Sequence, residues 1–343
     1  MHYKTSGNKF FILLFIFSFL LIQCSSKDSP HVKSTGFPDD FPIIKNSYDG
    51  NKPLFGEGGN LAKNKEEHQA EIALFGKNPV VFIHGNGTHY SYWTEEKMYG
   101  TPFKKLLLQK GYPPEAIWTF SYQGQDPNNP NMGRANNPKP ARDSIEEVRQ
   151  FIDAVLAYTG ASKVDLIGHS LGCHMARGYA LGLTKNAPYF ESSLRRLDKI
   201  GSMILLSGVN YGIGLQYPAG DWNSDGDLFT NSVQNNFTMF DGAVNLTPSS
   251  IYYYAVYSKY DFPHAMYLSL GEGYPLGGVV NTSRLGSAPC FEIPENYQSM
   301  GSVFNYSSTN HGGLSYLTTT HMYLGRDAKI FEEHIYPNLN KNN

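Results

Sequence analysis

The chain has 343 residues, 41% hydrophobic and 17% charged, with 28 basic side chains against 30 acidic ones and three cysteines. A chain this long buries a large core without disulfide or metal support. Sparse, balanced charge excludes a nucleic-acid binder, which must neutralise phosphates, and 14% aromatic content excludes a disordered chain.

In chain order, Lys4 and Lys9 precede an unbroken apolar run from Phe10 to Ile22. At ~1.5 Å rise per residue this run covers about 20 Å, short of a hydrocarbon core of ~30 Å. It reads as the apolar region of an export signal over residues 1–23. Leu21-Ile-Gln-Cys24-Ser-Ser26 resembles the lipobox of bacterial lipoproteins. That resemblance implies an exported chain held at a membrane surface through an acylated Cys24, with plain secretion or an incidental cysteine as the alternatives. Residues 24–60, rich in Ser, Pro, Asp, Gly and Lys, read as a tether and irregular N-terminal segment. The folded domain is expected over 61–343.

Within it, apolar runs of strand length alternate with helical patterns. Pro79-Val-Val-Phe-Ile83 reads as a strand, followed by a helix from Thr101-Pro102 to Gly111 and a strand from Ile117 to Tyr122. Ser144-x-x-Glu147 has capping-box spacing and opens a helix with Val148, Phe151, Ile152, Val155 and Leu156 on one face, ending near Gly160. Val164–Ile167 is a strand, Leu171–Leu183 helical, Met203–Leu206 and Ile251–Tyr257 strands, Val303–Tyr306 a weaker one, and Asp327–Ile335 the last helix. This alternation predicts an α/β fold, a mostly parallel central sheet with helices on both faces. Its ligand site lies beyond the carboxyl ends of the strands. A loop insertion at about 208–250 carries Tyr211, Tyr217, Trp222, Phe229, Phe237 and Phe240 and reads as a lid or an ordered cover.

Gly168-His169-Ser170-Leu171-Gly172 fits G-x-S-x-G between the strand ending at Ile167 and the helix opening at Leu171. A serine on so sharp a turn is exposed for attack, and a hydroxyl needs an adjacent base oriented by a carboxylate. Asp261, just past the Tyr-rich strand, is the expected acid. For the base, His321 on the approach to the final helix is preferred, with His311 as the alternative. His84, His169 and His174 lie too close to the sheet turns to serve. Oxyanion donors are expected from the backbone N–H of Leu171 and of Asn86 in the turn His84-Gly-Asn-Gly87.

Val81-Phe-Ile-His-Gly-Asn-Gly87, Tyr158-Thr-Gly-x-Ser-Lys-Val-Asp165 and Gly168-His-Ser-Leu-Gly172 resemble the class 2 bacterial lipases and the lipase-like extracellular polyhydroxybutyrate depolymerases. The likeness spans about residues 75–335. It implies the α/β-hydrolase fold and carboxylic ester hydrolysis without metal or other cofactor. It also implies a triad of Ser170, Asp261 and a late histidine, with Asn86 and Leu171 as oxyanion donors. The expected partner is an ester or lipid substrate. Polyhydroxyalkanoate depolymerase, acyltransferase and non-catalytic surface binding lipoprotein remain as alternatives.

Two minor features complete the reading. Asp221-Trp-Asn-Ser-Asp-Gly-Asp227 spaces oxygen ligands as the start of a calcium loop would, but Ser232 stands where the bidentate Glu belongs, so an Asx-rich turn is the preferred reading. Cys173 is expected to be a buried small apolar residue behind Ser170, with a bridge to Cys290 left open.

Overall fold

In the computed structural model, the described residues are 36–42, 44, 54–96, 100–122, 144–186, 190–208, 210, 248–258, 288–294, 297 and 321–342. Seven strands make one sheet: β1 (Gly56–Gly58), β2 (Val80–Ile83), β3 (Ile117–Phe120), β4 (Val164–His169), β5 (Ile200–Leu206), β6 (Tyr252–Ser258) and β7 (Cys290–Ile293). Their order is β1-β3-β2-β4-β5-β6-β7. β1 runs antiparallel to β3 and all other neighbours are parallel, so the sheet is the mostly parallel one expected.

β2 through β5 are buried along their whole length, which is why they read as near-continuous apolar runs. Alternate residues divide between two cores. Val81, Ile83, Leu166 and Met203 join Val148, Phe151, Ile152 and Val155 of α3 (Ile145–Thr159) and Cys173, Met175 and Ala176 of α4 (Leu171–Leu181). Val80, Phe82, Ile167 and Ile204 face the other way, onto Phe103, Leu106 and Leu107 of α2 (Phe103–Gln109) and onto Ile330, Phe331 and Ile335 near the C-terminus. Helices therefore cover both faces, and this is the α/β-hydrolase fold. Each fully buried Leu, Ile, Val or Phe contributes about 1.5–3 kcal/mol. Phe151 adds an offset stack on Phe120, ring centroids 4.0 Å apart.

Several local expectations are corrected. Ser144 makes no side-chain cap bond; its backbone is helical (φ −103°, ψ 0°), whereas a capping hydroxyl needs an extended residue. The capping box is instead at Asn64 and Glu67, opening a helix absent from the sequence reading, α1 (Lys65–Phe75). The segment read as irregular up to residue 60 contains β1, and Phe37 and Phe41 stack against Trp118. β7 was also not anticipated. The last helix begins at Ala328, capped by Asp327, as α5 (Ala328–Ile330), then widens into a π-helical turn over Phe331–Ile335. Cys173 is buried as expected, and both Cys173 and Cys290 are free thiols. The strand expected at 303–306, the 221–227 turn and all but the ends of the 208–250 insertion lie outside the described residues, as does Cys24.

Candidate active site

Register brings the site together. Ile83 of β2 pairs with Gly168 of β4, and His169 pairs with Leu206 of β5. The turn leaving β2 therefore meets the turn leaving β4 at the carboxyl edge of the sheet. Ser170 stands at that point with φ 55° and ψ −120°, a conformation that L-residues adopt only under constraint. The constraint is visible: the Ser170 N–H donates to the carbonyl of Leu206 at 2.9 Å, and the next residue starts α4. The first amide of a helix, here Leu171, has no acceptor inside it and is available to an anion.

Glycines permit this packing. A Cβ at 172 would lie 2.2 Å from the carbonyl oxygen of Ile83, and one at 168 would lie 2.8 Å from Gly172 backbone atoms. The collision avoided at 172 is with the neighbouring strand's backbone. Gly85 comes closest to the serine: a Cβ there would sit 2.9 Å from Ser170 Cβ.

The Gly85–Asn86 peptide is held from one side. The Gly85 carbonyl accepts from His84 Nδ1 at 2.8 Å, from Thr88 Oγ1 at 3.0 Å and from the Thr88 N–H at 3.4 Å. In a trans peptide the N–H points opposite to the C=O, so fixing the Gly85 carbonyl fixes the direction of the Asn86 N–H. His84 is itself locked: Nε2 accepts from the Tyr122 N–H at 3.2 Å, its ring stacks on Tyr122, and the Tyr122 hydroxyl donates to the His84 carbonyl.

His321 is far away in sequence and close in space. Its ring lies 4.5 Å, centroid to centroid, from that of His169, the residue before the serine. Residues 321–324 are helical, and several contacts tie this segment to the sheet edge. His169 Nε2 donates to the His321 carbonyl at 2.8 Å, and the Tyr92 hydroxyl donates to the Met322 carbonyl at 2.8 Å. The buried Arg326 guanidinium donates to the carbonyls of Tyr92 and Glu95, while the Arg326 carbonyl accepts from the Thr101 N–H at 2.8 Å.

Of the residues singled out from sequence, Ser170, Leu171, Asn86 and His321 thus gather at one sheet edge. Asp261 follows the end of β6 at that edge by three residues; it and His311 lie outside the described residues. Sequence reasoning missed Tyr92, Thr88 and Arg326. None has a motif to mark it, because their partners are backbone carbonyls.

Residues 77–235 match the family model described as lipase (class 2). Over that stretch, a little under half of its length, the chain is similar to the class 2 lipases. In structure it is similar to the mature form of a lipase from Bacillus licheniformis, at 14% identity and a TM-score of 0.48, over 77% of this chain and 92% of that one. It is also similar to a lipase-esterase related protein from Clostridium acetobutylicum, at 14% identity and a TM-score of 0.41, over 83% and 99% of the two chains.

Electrostatically, the site keeps its two turn histidines uncharged. Burial pushes His84 down to about 3. Burial and the neighbouring His321 push His169 well below the usual imidazole range. Imidazoles that cannot charge serve as fixed hydrogen-bonding groups.

Proposed function

We propose that the chain is a serine carboxylic ester hydrolase acting through a covalent acyl-enzyme. Ser170 is the nucleophile, His321 the general base and Asp261 the carboxylate that orients it. The backbone N–H groups of Asn86 and Leu171 form the oxyanion hole. The observation that carries this reading is the backbone of Ser170, held at φ 55° between β4 and α4 against the Gly85 turn.

In the first half-reaction Ser170 Oγ bonds to the ester carbonyl carbon as His321 takes its proton. The carbonyl oxygen becomes an alkoxide facing the two amides, each worth about 2.7–4 kcal/mol to the transition state. Collapse breaks the bond to the alcohol oxygen, which leaves with the proton from the imidazolium. Water then attacks the acyl-serine with His321 as base again, releasing the acid and restoring the serine. The same reading holds the enzyme outside the cell at a membrane surface, through an acyl chain on Cys24.

The test is hydrolysis of a p-nitrophenyl ester series and emulsified triglyceride by wild type, Ser170→Ala, His321→Ala and His311→Ala, with fluorophosphonate labelling of Ser170. The reading expects Ser170→Ala and His321→Ala to lose at least about 10³-fold in kcat. Full activity in His321→Ala together with its loss in His311→Ala would move the base to His311.

A further inference from the structure

We infer that His169, the residue before the serine in the G-x-S-x-G turn, is a positioning residue for the base, fixing the backbone of His321 relative to the nucleophile. The inference rests on the reading of His321 as base. The two residues are 152 positions apart, and their bond is buried.

Its chemistry is one-directional. The acceptor is a carbonyl, which has no proton to give, so His169 Nε2 must carry the hydrogen. Nδ1 is then the lone-pair nitrogen. It is buried and has no hydrogen-bond partner among the described residues, and it faces Gly85, where a Cβ would come within 3.1 Å. A buried polar atom left unpaired costs about 1–3 kcal/mol. A purely space-filling role at 169 would be met by an aromatic ring without that cost, so the Nε2–H bond is what a histidine adds here.

The ring is also clamped. Tyr92 stacks on one side at 4.9 Å and 27°, Trp93 meets it edge-on, and the His321 ring packs nearby at 42°. The side chain that positions His321 therefore cannot swing. Because His169 ends β4 and Ser170 follows it directly, nucleophile and base refer to one rigid turn. A shift of the strand end moves both together and leaves their separation unchanged. A misplacement of ~1 Å between reacting groups costs on the order of 10²-fold in rate, so such a shared reference has kinetic value.

The experiment compares His169→Phe, which keeps the ring and removes the donor, with His169→Gln, whose amide can donate in place of Nε2. His321→Ala is run alongside. Expected for His169→Phe is a fall in kcat and in the rate of Ser170 phosphonylation of about 30-fold, with KM within about twofold. Expected for His169→Gln is recovery to within about fivefold of wild type. A kcat for His169→Phe within twofold of wild type, or equal losses in the two variants, would overturn the inference. A wild-type kcat in His321→Ala would instead sink the base assignment beneath it, so the two failures are separable. In wild-type protein, long-range ¹H–¹⁵N spectra should show a slowly exchanging Nε2 proton on His169. Its absence would overturn the inference even if the Phe variant failed to fold.

Discussion

Gly85 and Ser170 touch so closely that a methyl group added to residue 85 would stand 2.9 Å from Ser170 Cβ, 3.1 Å from His169 Nδ1 and 3.2 Å from the His169 carbonyl oxygen. The turn after β2 thus packs directly on the turn at Ser170. Relief of the overlap requires backbone movement of the turn after β2, costing about 1–3 kcal/mol. Gly85→Ala is expected to fold and to lose on the order of 10²-fold in kcat/KM toward p-nitrophenyl esters. Gly172→Ala drives its Cβ into the carbonyls of Ile83 and His84 and should reduce stability itself, measured by urea unfolding.

Removing one of the three donors on the Gly85 carbonyl gives a milder version of the same test. Thr88→Val deletes the Oγ1 bond and leaves the His84 bond in place. The expected result is a fall in kcat of about 3–10-fold with the melting temperature lowered by only about 1–3 °C, since one bond in a part-buried turn contributes about 1 kcal/mol.

Acid should weaken the fold through two buried histidines, against the opposing effect of one buried carboxyl. His84 is depressed from 6.5 to about 3, so the folded state binds fewer protons than the unfolded one. Its stabilisation is present above pH 6.5 and is lost as pH falls toward 3, on the order of 5 kcal/mol in all. His169 has the same sign. Asp165 goes the other way: burial at the foot of β4 raises it from 3.8 to about 6, against the bonds from Asn78, Asn340 and Ser202 that lower it. Its favourable contribution is present below 3.8 and lost as pH rises through 6. Two histidines outweigh one carboxyl, so the urea midpoint should drop between pH 7 and pH 4. Asp165→Asn should make that drop steeper.

Arg326 joins the segment carrying His321 to the loop that follows β2. Arg326→Met leaves the carbonyls of Tyr92 and Glu95 without that donor and is expected to cost roughly 2–4 kcal/mol in urea unfolding. Arg326→Lys should recover less than half, because one ammonium does not reproduce the planar fork that reaches both oxygens.

At the other end of the sheet, Asn340 fastens the C-terminal segment. Its N–H donates to Asp165 Oδ2 at 2.7 Å, its Oδ1 accepts from the Asn78 N–H at 2.7 Å, and its Nδ2 donates to the Tyr112 hydroxyl at 2.6 Å, all from a left-handed backbone (φ 58°). Asn340→Gly loses the side-chain bonds and tolerates the backbone. Asn340→Ala loses the bonds and adds about 1–2 kcal/mol of left-handed strain. Thermal melting should therefore rank the variants wild type, then Gly, then Ala.

Most of the sheet was legible because its strands are buried on both faces. Val80–Ile83, Val164–Ile167 and Met203–Leu206 read as near-continuous apolar runs for that reason, and the Phe151 face of α3 follows from helical periodicity. Short elements were not legible. β1 reads Gly-Glu-Gly, and its only strand signal is its pairing with β3; α1 is weakly amphipathic, with only His68 and Ile72 buried. Ser144 matched a capping pattern that its backbone angles then forbid.

By itself the sequence determined the parallel α/β sheet, the strand-to-helix turn at Ser170 and the short list of late histidines, since burial patterns and steric demands at a tight turn are properties of neighbouring residues. Tertiary structure alone decided that His169 grips the backbone of His321, that Tyr92 and Arg326 hold the same segment, and that Gly85 presses on the serine. Those bonds run between side chains and carbonyls up to 234 positions apart. A backbone carbonyl is the same group at every residue, so nothing in the sequence distinguishes the one that will be held.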